Sequence, residues 1–421
     1  MAGGEKIIYV YMCENEKTNR LIGTMFSSSE KGREHYSFEY NEKWLQTSGT
    51  WLVLDPDLEL YRGRQYVPVD KTMFGLFADS CPDRWGRLLM KRKEILEAKK
   101  EERKPKRMQE TDYLLGVYDK SRMGALRFAS EENGPFLSDD KGLATPPWTT
   151  LRKLESASLA FENDEGGIEE KWLDQLLQPG SSLGGARPKA SVMAPDGSLW
   201  IAKFPSRHDE YDSGAWEMVV HDLALRCGLD VPEAKLETFS KTGSTFLVKR
   251  FDRDGEKRIH FASAMTLLGK TDGSSAEDGS SYLDIATFIR MNGSRPGDDL
   301  EQLWKRIVFS MAVSNTDDHL RNHGMILEAN GWRMSPQYDV NPCIYGDSLS
   351  LNVSEDSNLM DFDLAVDTAE YYGIERNDAQ KTAADISRTV SEKWRILAKK
   401  YGISRESSEY MAPAFCRKYK K

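Results

Sequence analysis

The sequence predicts an α+β fold, in which strands dominate the first part of the chain and helices dominate the last. Residues 7–70 contain short apolar or alternating runs separated by polar turns, a pattern typical of a small barrel or a curled sheet. From residue 282 onward the apolar positions follow a helical period, interrupted by one hairpin. This segregation of strands and helices along the chain corresponds to the α+β class.

The composition indicates a large folded core and no membrane-spanning segment. The 421 residues are 39% hydrophobic and 30% charged, and this length allows two or three domains. No apolar run approaches the ~20 residues that cross a bilayer, and the start MAGGEKIIYVY lacks the regions of a signal peptide. The five cysteines are scattered, with no Cys-x-x-Cys pair, so we expect a cytoplasmic protein with reduced thiols. The net charge of −9 disfavours extensive nucleic-acid binding.

The first 150 residues supply most of the predicted strands. These are the runs IIYVYM, LIGTMF, HYSFEY and WLVLD, followed later by GALRFAS. Residues 79–82, Asp-Ser-Cys-Pro, are typical of a helix start because Pro is favoured near the first helical position. ETDYLLGVYD indicates a further short helix. Residues 131–150, which are rich in Pro, Asp and Gly, are predicted to form a connector.

A glycine-rich loop is predicted between a helix over residues 149–178 and two strands. The strands run over Ala190–Ala194 and up to Lys203, with a hairpin turn at Asp196-Gly197. Glycines let backbone amides approach an anion, and a strand lysine can bind nucleotide phosphates. The candidate residues are Gly184, Gly185, Lys189 and Lys203. The segment does not match the P-loop pattern, and an ordinary flexible loop with a surface lysine is the alternative.

A helix over residues 212–227 carries Glu217. In kinase-like lobes such a helix supplies the glutamate that pairs with the strand lysine, but a surface position for Glu217 is equally compatible with the pattern. Two strands follow, over Ala234–Phe239 and Thr245–Phe251, the second within STFLVKRFDR. In a nucleotide-binding lobe this second strand would be the edge whose backbone meets adenine.

Residues 314–342, SNTDDHLRNHGMILEANGWRMSPQYDVNP, concentrate polar side chains suited to chemistry. The apolar run Lys305–Ser314 predicts a buried helix, so the polar residues after it lie on a loop. Asn330-Gly331 between two apolar runs predicts a hairpin, which returns the chain to the same end as that loop. The side chains with ligand-capable oxygens are Asp317, Asp318, Asn322 and Asp339.

This order of residues matches the requirements of phosphoryl transfer. One Asp orients and deprotonates a hydroxyl, while an Asn five residues later and a final Asp hold magnesium on the ATP phosphates. On this interpretation Asp317 is the base, and Asn322 and Asp339 are the metal ligands, since magnesium prefers hard oxygen donors. The alternative is a solvated loop whose Asp and Asn residues serve turn geometry. For His319, a role in packing the loop against the helix is favoured over a zinc-ligand role, because no second His or Cys lies at ligand spacing with it.

In this order, the motifs resemble those of the HipA family of serine/threonine kinases, the toxins of bacterial type II toxin–antitoxin pairs. FGLFADSCPDRWGRLLM is similar to the N-terminal signature of that family, SSLGGARPK to its Ser-x-x-Gly-Ala-x-x-Lys loop, and VKRFDR to its hinge. NTDDHLRN and PQYDVNP are similar to its catalytic and metal motifs. The resemblance covers nearly the whole chain.

The resemblance implies a two-lobed protein-kinase-like fold with a β-rich N-terminal subdomain and an all-helical C-terminal lobe. The implied domains are a β-rich subdomain over 1–140, a kinase N-lobe with the glycine-rich loop over 141–270, and a helical C-lobe over 271–421. In the C-lobe, Asp317 is implied to be the catalytic base. Asn322 and Asp339 would hold Mg²⁺, and Lys203 would contact the phosphates of ATP.

Further roles are implied for the hinge and for the glycine-rich loop. Lys249 and Phe251 would offer backbone groups to adenine, and Asp252 would lie near the ribose. Ser182 aligns with the serine that family members autophosphorylate, with the adjacent Ser181 as the alternative. The Arg-Pro pair of this loop departs from the family pattern at positions that bear on its ATP contacts.

The resemblance also implies a substrate and partners. It indicates a kinase that phosphorylates a protein, often an aminoacyl-tRNA synthetase, and that is held by a helix-turn-helix antitoxin of the HipB kind. The sequence shows no helix-turn-helix of its own, so DNA contact is expected only through the antitoxin. Two alternatives are a non-catalytic repressor-binding module, which the intact set around Asp317 disfavours, and a small-molecule kinase on the same fold.

Overall fold

The computed structural model describes residues 5–15, 18–30, 32–47, 52–139, 145–163, 176, 185 and 187–419. The chain divides into two compact units. The first comprises Met1–Ala202 and Asp252–Ala262, and the second comprises Lys203–Phe251 and Ser263–Lys421. The finer division into three domains stays a prediction.

A five-stranded antiparallel sheet forms the centre of the first unit. Its strands are β1 (Lys6–Asn15), β2 (Thr18–Glu30), β3 (Arg33–Tyr40), β4 (Gln65–Tyr66) and β5 (Leu126–Ala129). They lie in the order β4-β3-β2-β1-β5. Apolar side chains such as Val10, Ile22 and Phe38 are fully buried, and this burial is the main force that holds the sheet.

The strand predicted at WLVLD is wrong. Leu54 is fully buried there, but the described part of this segment is irregular. The carboxylate of Asp55 accepts the backbone N–H groups of Leu76 and Asp57 at 2.8 and 2.9 Å. These bonds make the end of the segment a side-chain-stabilised turn, a local arrangement that competes with strand pairing.

The helices of the first unit are α1 (Glu42–Thr47), α2 (Gly75–Ala78), α3 (Arg84–Lys100), α4 (Glu110–Gly116) and α5 (Leu151–Glu162). The helix start predicted at residues 79–82 is too early, because Asp83 is the N-cap of α3 and accepts the N–H of Gly86 at 2.9 Å. α5 lies within the helix predicted over 149–178. Residues 164–175, 177 and 178 of that range lie outside the described residues.

Asp83 also holds the hairpin that follows the glycine-rich loop. This hairpin consists of β6 (Lys189–Met193) and β7 (Leu199–Lys203), as predicted, and Gly197 adopts a φ of +83° in its turn. The Nζ atom of Lys189 lies 2.6 Å from Oδ2 of Asp83 and 2.9 Å from the carbonyl oxygen of Gly185. Lys189 is 1% exposed, so this ion pair lies in the core of the first unit.

The other short strands are β8 (Ala234–Glu237), β9 (Thr245–Lys249), β10 (Arg253–Asp254), β11 (Lys257–Arg258) and β12 (Phe261–Ser263). β8 and β9 pair antiparallel within the second unit. The predicted hairpin of the second unit is confirmed as β13 (Gly324–Glu328) and β14 (Gly331–Met334).

Helices build most of the second unit. They are α6 (Ser213–Arg226), α7 (Ala264–Leu267), α8 (Tyr282–Asn292), α9 (Pro296–Ala312), α10 (Phe362–Asp367), α11 (Arg376–Lys400) and α12 (Arg405–Met411). An aromatic cluster joins α6 and α11. The ring of Phe415 stacks on Trp394 of α11 at 4.8 Å and on Trp216 of α6 at 5.7 Å between ring centroids. The predicted α+β class is confirmed, and none of the described helices is long and apolar enough to span a membrane.

We predict that Asp83→Ala destabilises the first unit by about 3–5 kcal/mol, because it removes a helix cap and leaves the buried ammonium of Lys189 without its carboxylate. Urea denaturation followed by circular dichroism measures this change in the free energy of unfolding. Asp70→Ala, at an exposed position, is the control and should shift it by less than about 0.5 kcal/mol. Equal effects of the two substitutions would contradict the assignment.

Candidate functional site

A buried lysine lies between two carboxylates in the second unit. Lys203, at the end of β7, is 6% exposed. Its Nζ atom lies 2.5 Å from Glu217 of α6 and 2.7 Å from Oδ1 of Asp339. Burial by itself would lower the pKa of Lys203, but the carboxylates of Asp339 and Glu217 raise it above its ordinary value. The two carboxylates therefore favour the charged ammonium form of Lys203, and Glu217 has the pairing role rather than the surface position.

The loop after α9 begins with a left-handed residue. Ser314 has a φ of +52°, a conformation that non-glycine residues rarely adopt. The N–H of Asn315 donates to the carbonyl of Ser310 at 2.8 Å, which closes the helix end. The chain thereby leaves the packed helix and places Asp317 and Asp318 on the loop, as the sequence predicts.

The two adjacent aspartates have opposite environments. The side chain of Asp317 is 85% exposed, and its Oδ1 lies 3.9 Å from His319. Asp318 is 2% exposed, and its carboxylate accepts hydrogen bonds from the hydroxyls of Tyr282 at 2.8 Å and Ser310 at 3.2 Å. Asp318 therefore anchors the loop, whereas Asp317 faces solvent.

A histidine completes this anchor. His323 is 1% exposed, its Nε2 lies 3.2 Å from Asp318, and its ring meets Tyr282 edge-on at 5.5 Å. Burial would raise the pKa of Asp318, but His323 and the hydrogen bonds to the carboxylate lower it below its ordinary value. The side chain of His319 is 39% exposed and its Nδ1 atom is buried, so it packs on the loop in part, whereas His323 is the fully buried histidine of this loop.

Asn322 is oriented by the backbone of the proposed base. Its Nδ2 group donates to the carbonyl of Asp317 at 2.8 Å, and the residue is 4% exposed. An amide whose nitrogen is held in this way presents its oxygen Oδ1 as the atom that can accept or coordinate. The 3₁₀ turn Leu320–Asn322 sets this geometry locally.

The hairpin returns the chain to this loop and delivers Asp339. The hydroxyl of Tyr338 donates to the carbonyl of Arg321 at 2.7 Å, so the residues that precede Asp339 and Asn322 are joined directly. Asp339 itself has a φ of +57°. Such strained backbone is kept where the surrounding structure over-determines it, often at functional sites. Arg306 of α9 also binds the carbonyl of Ser335, at 2.6 Å.

The oxygen donors of this site fit magnesium better than a transition metal. The described residues contain no group of three or more His, Cys, Asp or Glu side chains that could hold a metal ion. What the loop and hairpin offer is one carboxylate, Asp339, and one amide oxygen, Asn322. Magnesium commonly uses one or two protein oxygens, and takes its remaining ligands from water and substrate phosphates. The donor set is therefore compatible with a magnesium–nucleotide complex.

The hinge residues divide between the two units. In the second unit, Phe251 stacks on Tyr338 at 5.7 Å, and the backbone N–H of Lys249 donates to the carbonyl of Glu233 at 2.8 Å. In the first unit, the carboxylate of Asp252 is fully buried and accepts the N–H of Gly124 at 2.8 Å. The nucleotide-binding roles of these residues and of Lys189 stay predictions.

The glycine-rich loop is described only in part. Gly185 is exposed, and its carbonyl accepts the bond from Lys189. Gly184, Ser181 and Ser182 lie outside the described residues.

Sequence reasoning missed the residues that support the site. Tyr282 and Arg306 read as ordinary members of helical segments, and Asp318 was not separable from Asp317 by its pattern. Local signals do not distinguish Tyr282 and Arg306, because their bonds join distant positions: Tyr282 and Asp318 are 36 residues apart, and Arg306 and Ser335 are 29 residues apart.

Comparison with known proteins places these motifs in one family. A family model described as the HipA-like C-terminal domain matches residues 181–394. Two proteins of Sinorhizobium fredii, whose names assign them provisionally to the kinases, are similar in sequence. Y4mE is 32% identical over 183 residues, 38% of this chain and 41% of that protein, and Y4dM is 27% identical over 256 residues, 56% of each. The matched region thus spans about half the length of these curated relatives.

A solved structure extends the likeness to the whole fold. A chain from the complex of Shewanella oneidensis HipA, HipB and operator DNA superposes with a TM-score of 0.66 at 15% sequence identity. The match covers 97% of this chain and 95% of that one. At this identity the likeness shows a shared fold, which supports the predicted HipA-like architecture.

We predict that Asp318→Ala lowers the free energy of unfolding at pH 7 by about 3–5 kcal/mol, because it strips the acceptor from two buried hydroxyls and from His323. The adjacent Asp317→Ala is the matched control and should change it by less than about 0.5 kcal/mol. A carboxylate whose pKa is lowered on folding stabilises the folded state at pH values above its ordinary pKa. This contribution to stability disappears as the pH falls through the lowered pKa of the folded state. The difference between parent and Asp318→Ala should therefore narrow below about pH 4. Denaturant titrations at several pH values test this, and a pH-independent difference would contradict it.

Proposed function

We propose that the chain, which belongs to the family of the HipA-like C-terminal domain, is an ATP- and magnesium-dependent kinase. The observation that carries the proposal is the buried contact of Lys203 with Glu217 and Asp339. A strand lysine held by a helix glutamate, beside an aspartate that can ligate magnesium, is the arrangement by which kinases hold nucleotide phosphates. The two named relatives from Sinorhizobium fredii support the same class of activity.

Each residue of the site has a distinct role in this proposal. Glu217 keeps the ammonium of Lys203 in place, and Lys203 binds phosphate oxygens. Asn322 and Asp339 are the residues that would hold magnesium, which when bound neutralises charge on the transferred phosphate. Gly184 and Gly185 would offer backbone amides to the same phosphates.

Asp317 is proposed to accept the proton of the attacking hydroxyl. Its side chain is 85% exposed, so the acceptor hydroxyl arrives from solvent. The neighbouring Asp318 fixes the backbone, so that Asp317 is positioned without being buried. This openness favours a Ser or Thr on a protein over a small enclosed substrate, and we propose serine/threonine protein kinase activity.

The adenine end of the nucleotide is proposed to lie at the hinge. Backbone groups of Lys249 and Phe251 would meet the base. The stack of Phe251 on Tyr338 would link this end of the site to the metal ligand Asp339. Asp252 is proposed to lie near the ribose. Lys189 remains a candidate phosphate contact, although its ammonium is paired with Asp83.

A toxin role with an antitoxin partner is the wider proposal. The structural neighbour was solved with HipB and operator DNA, and we propose that this chain likewise binds a helix-turn-helix antitoxin through which it reaches DNA. An aminoacyl-tRNA synthetase is the proposed type of protein substrate. Transfer of labelled phosphate from ATP to candidate synthetases tests the substrate, and co-purification with the antitoxin tests the partner.

We predict that Asp317→Gln retains ATP binding and loses at least ~100-fold in the rate of phosphate transfer, because the general base is gone. The rate is measured with labelled ATP, and binding by calorimetry. Asp356→Asn, which removes a charge from an exposed loop, should leave both unchanged. Full turnover by Asp317→Gln would exclude the proposed mechanism.

We predict that Asp339→Asn reduces magnesium-dependent nucleotide affinity by more than about tenfold, because it removes a proposed metal ligand. Tyr338→Phe should cause a smaller loss of this affinity, because it removes only the hydrogen bond to the carbonyl of Arg321 that positions the neighbouring Asp339. Calorimetric titration of ATP with and without magnesium measures both. Tyr371→Phe, at an exposed position, is the control. If the magnesium dependence of the Asp339→Asn variant equals that of the parent, Asp339 is not a ligand.

We predict autophosphorylation of the glycine-rich loop at Ser182 or Ser181. A phosphate adds about −1.5 to −2 charges, which would repel the ATP phosphates and favour an inactive loop position. After incubation with magnesium and ATP, mass spectrometry locates the phosphate, and calorimetry compares the ATP affinity of Ser182→Ala and Ser182→Asp. Retained binding in the first variant and weakened binding in the second are expected. Phosphate found only elsewhere, with Ser182→Asp binding ATP normally, would exclude this switch and leave the kinase proposal standing.

A further inference from the structure

Three tyrosines and one glutamate of the second unit meet at the protein surface. The rings of Tyr211 and Tyr410 lie 6.3 Å apart at 43°, and the hydroxyls of Tyr410 and Tyr345 lie 3.5 Å apart. The Tyr410 hydroxyl also donates to the carboxylate of Glu210 at 3.3 Å. Tyr345 is 69% exposed and Tyr410 is 40% exposed. These four residues are here called the tyrosine surface, in which the side chains of Tyr345 and Tyr410 are the exposed aromatic groups.

The tyrosine surface borders the loop of the proposed base. The hydroxyl of Ser350 donates to the carbonyl of Thr316 at 2.8 Å. A Cβ added at Gly346 would lie 3.3 Å from Cγ2 of Thr316. Gly346 follows Tyr345, and Thr316 precedes Asp317, so the chain neighbours of the exposed tyrosine and of the exposed aspartate are in contact.

Tyr345, the most exposed residue of the three tyrosines, is held through its backbone by the side chain of Cys343. The thiol of Cys343 accepts the N–H of Tyr345 at 3.4 Å and lies 3.2 Å from its carbonyl oxygen. Such a local ring fixes the direction of the chain at Tyr345 while its side chain remains outside the core. A side chain that packed only for stability would be buried there, and Tyr345 is not.

The chemistry of this surface suits a cation. Tyrosine faces attract ammonium and guanidinium groups, and a carboxylate at the edge of the rings adds a second attraction. Glu210 is exposed, and its hydrogen-bond partner in the described chain is the uncharged Tyr410; no Lys, Arg or His of that part pairs with it. Asp317 follows Thr316 on the adjoining loop, and one cation, Arg417, borders the same segment, where it donates to the carbonyl of Gly346 at 3.2 Å and to the hydroxyl of Ser314 at 3.4 Å. Glu210 is the charged group that contacts a ring hydroxyl of the tyrosine surface.

We propose that the tyrosine surface is a substrate subsite, which binds a Lys or Arg side chain of the protein segment whose hydroxyl reaches Asp317. The proposal rests on the proposed kinase function and deepens it by naming a feature of the substrate. An extended peptide covers about 3.3 Å per residue. The proximity of Gly346 and Thr316, the chain neighbours of Tyr345 and Asp317, therefore places the basic side chain within a few residues of the acceptor hydroxyl.

Peptide kinetics test this directly. The substrates are peptides with a single serine and one lysine placed two to five residues to either side, each compared with the same peptide carrying norleucine. For the preferred spacing, the lysine peptide should have a KM about five- to tenfold lower at similar kcat, and this advantage should shrink at high salt. An equal KM for lysine and norleucine peptides at every spacing, with peptide phosphorylation intact, would overturn the proposal.

Variants locate the effect on the tyrosine surface. Tyr345→Leu and Glu210→Gln should each remove most of the lysine advantage and leave the KM of the norleucine peptide unchanged. The matched controls are Tyr371→Leu and Glu392→Gln, exposed positions outside the tyrosine surface, which should retain the advantage. A lysine advantage that persists in both Tyr345→Leu and Glu210→Gln would also overturn the proposal.

A binding measurement separates this proposal from the kinase function. Fluorescence anisotropy of the labelled lysine and norleucine peptides, without ATP, reports the subsite even if no phosphate is transferred. Tighter binding of the lysine peptide, lost in Tyr345→Leu, supports the subsite. Equal binding of both peptides, or tighter binding of an aspartate peptide or of a single-stranded oligonucleotide, contradicts it. Absence of any Asp317-dependent phosphate transfer contradicts the proposed function instead.

Discussion

The buried ion pairs of Lys203 are the constraint on which the candidate site depends. An ammonium removed from water costs several kcal/mol unless its charge is matched, and here Glu217 and Asp339 supply the match. The end of β7, the middle of α6 and the segment after the β13–β14 hairpin must therefore meet at one point. Three parts of the chain, separated by up to 136 positions, are brought to one charge. The same charge that holds them together is the one proposed to bind phosphate.

The pair Asp317 and Asp318 shows how one sequence motif serves two purposes. Asp318 gives its carboxylate to Tyr282, Ser310 and His323 in the interior, and the loop is fixed by these bonds. The side chain of Asp317 is thereby exposed to solvent on a backbone that the neighbouring buried bonds hold in place. A reactive group on a flexible loop would lose the positioning on which proton transfer depends. The buried aspartate thus provides the order, and the exposed one is left for chemistry.

Strain at two backbone positions fits this picture. Ser314 and Asp339 both adopt left-handed conformations, which cost about 1–3 kcal/mol each for residues with a side chain. Bonds around them offset that cost, such as Tyr338 with Arg321 and Arg306 with Ser335. Both strained residues lie where the chain enters or leaves the site.

The amino-acid pattern alone predicted the α+β class, the β6–β7 hairpin, the β13–β14 hairpin and the loop positions of Asp317 and Asp339. These follow from local causes: apolar periodicity, turn residues such as Asp196-Gly197, and the end of an apolar run before Asn315. Three-dimensional contacts, in contrast, were needed to establish that Glu217 is paired rather than exposed, that Asp318 rather than Asp317 is buried, and that His323 is the fully buried histidine of the loop. They were also needed to establish that α3 begins after Asp83 and that WLVLD is not a strand. Each of these features depends on which groups from elsewhere in the chain form a hydrogen bond or an ion pair with the residue. Burial and pairing are set by the residues that lie close in three dimensions, and a local sequence pattern does not specify which residues these are.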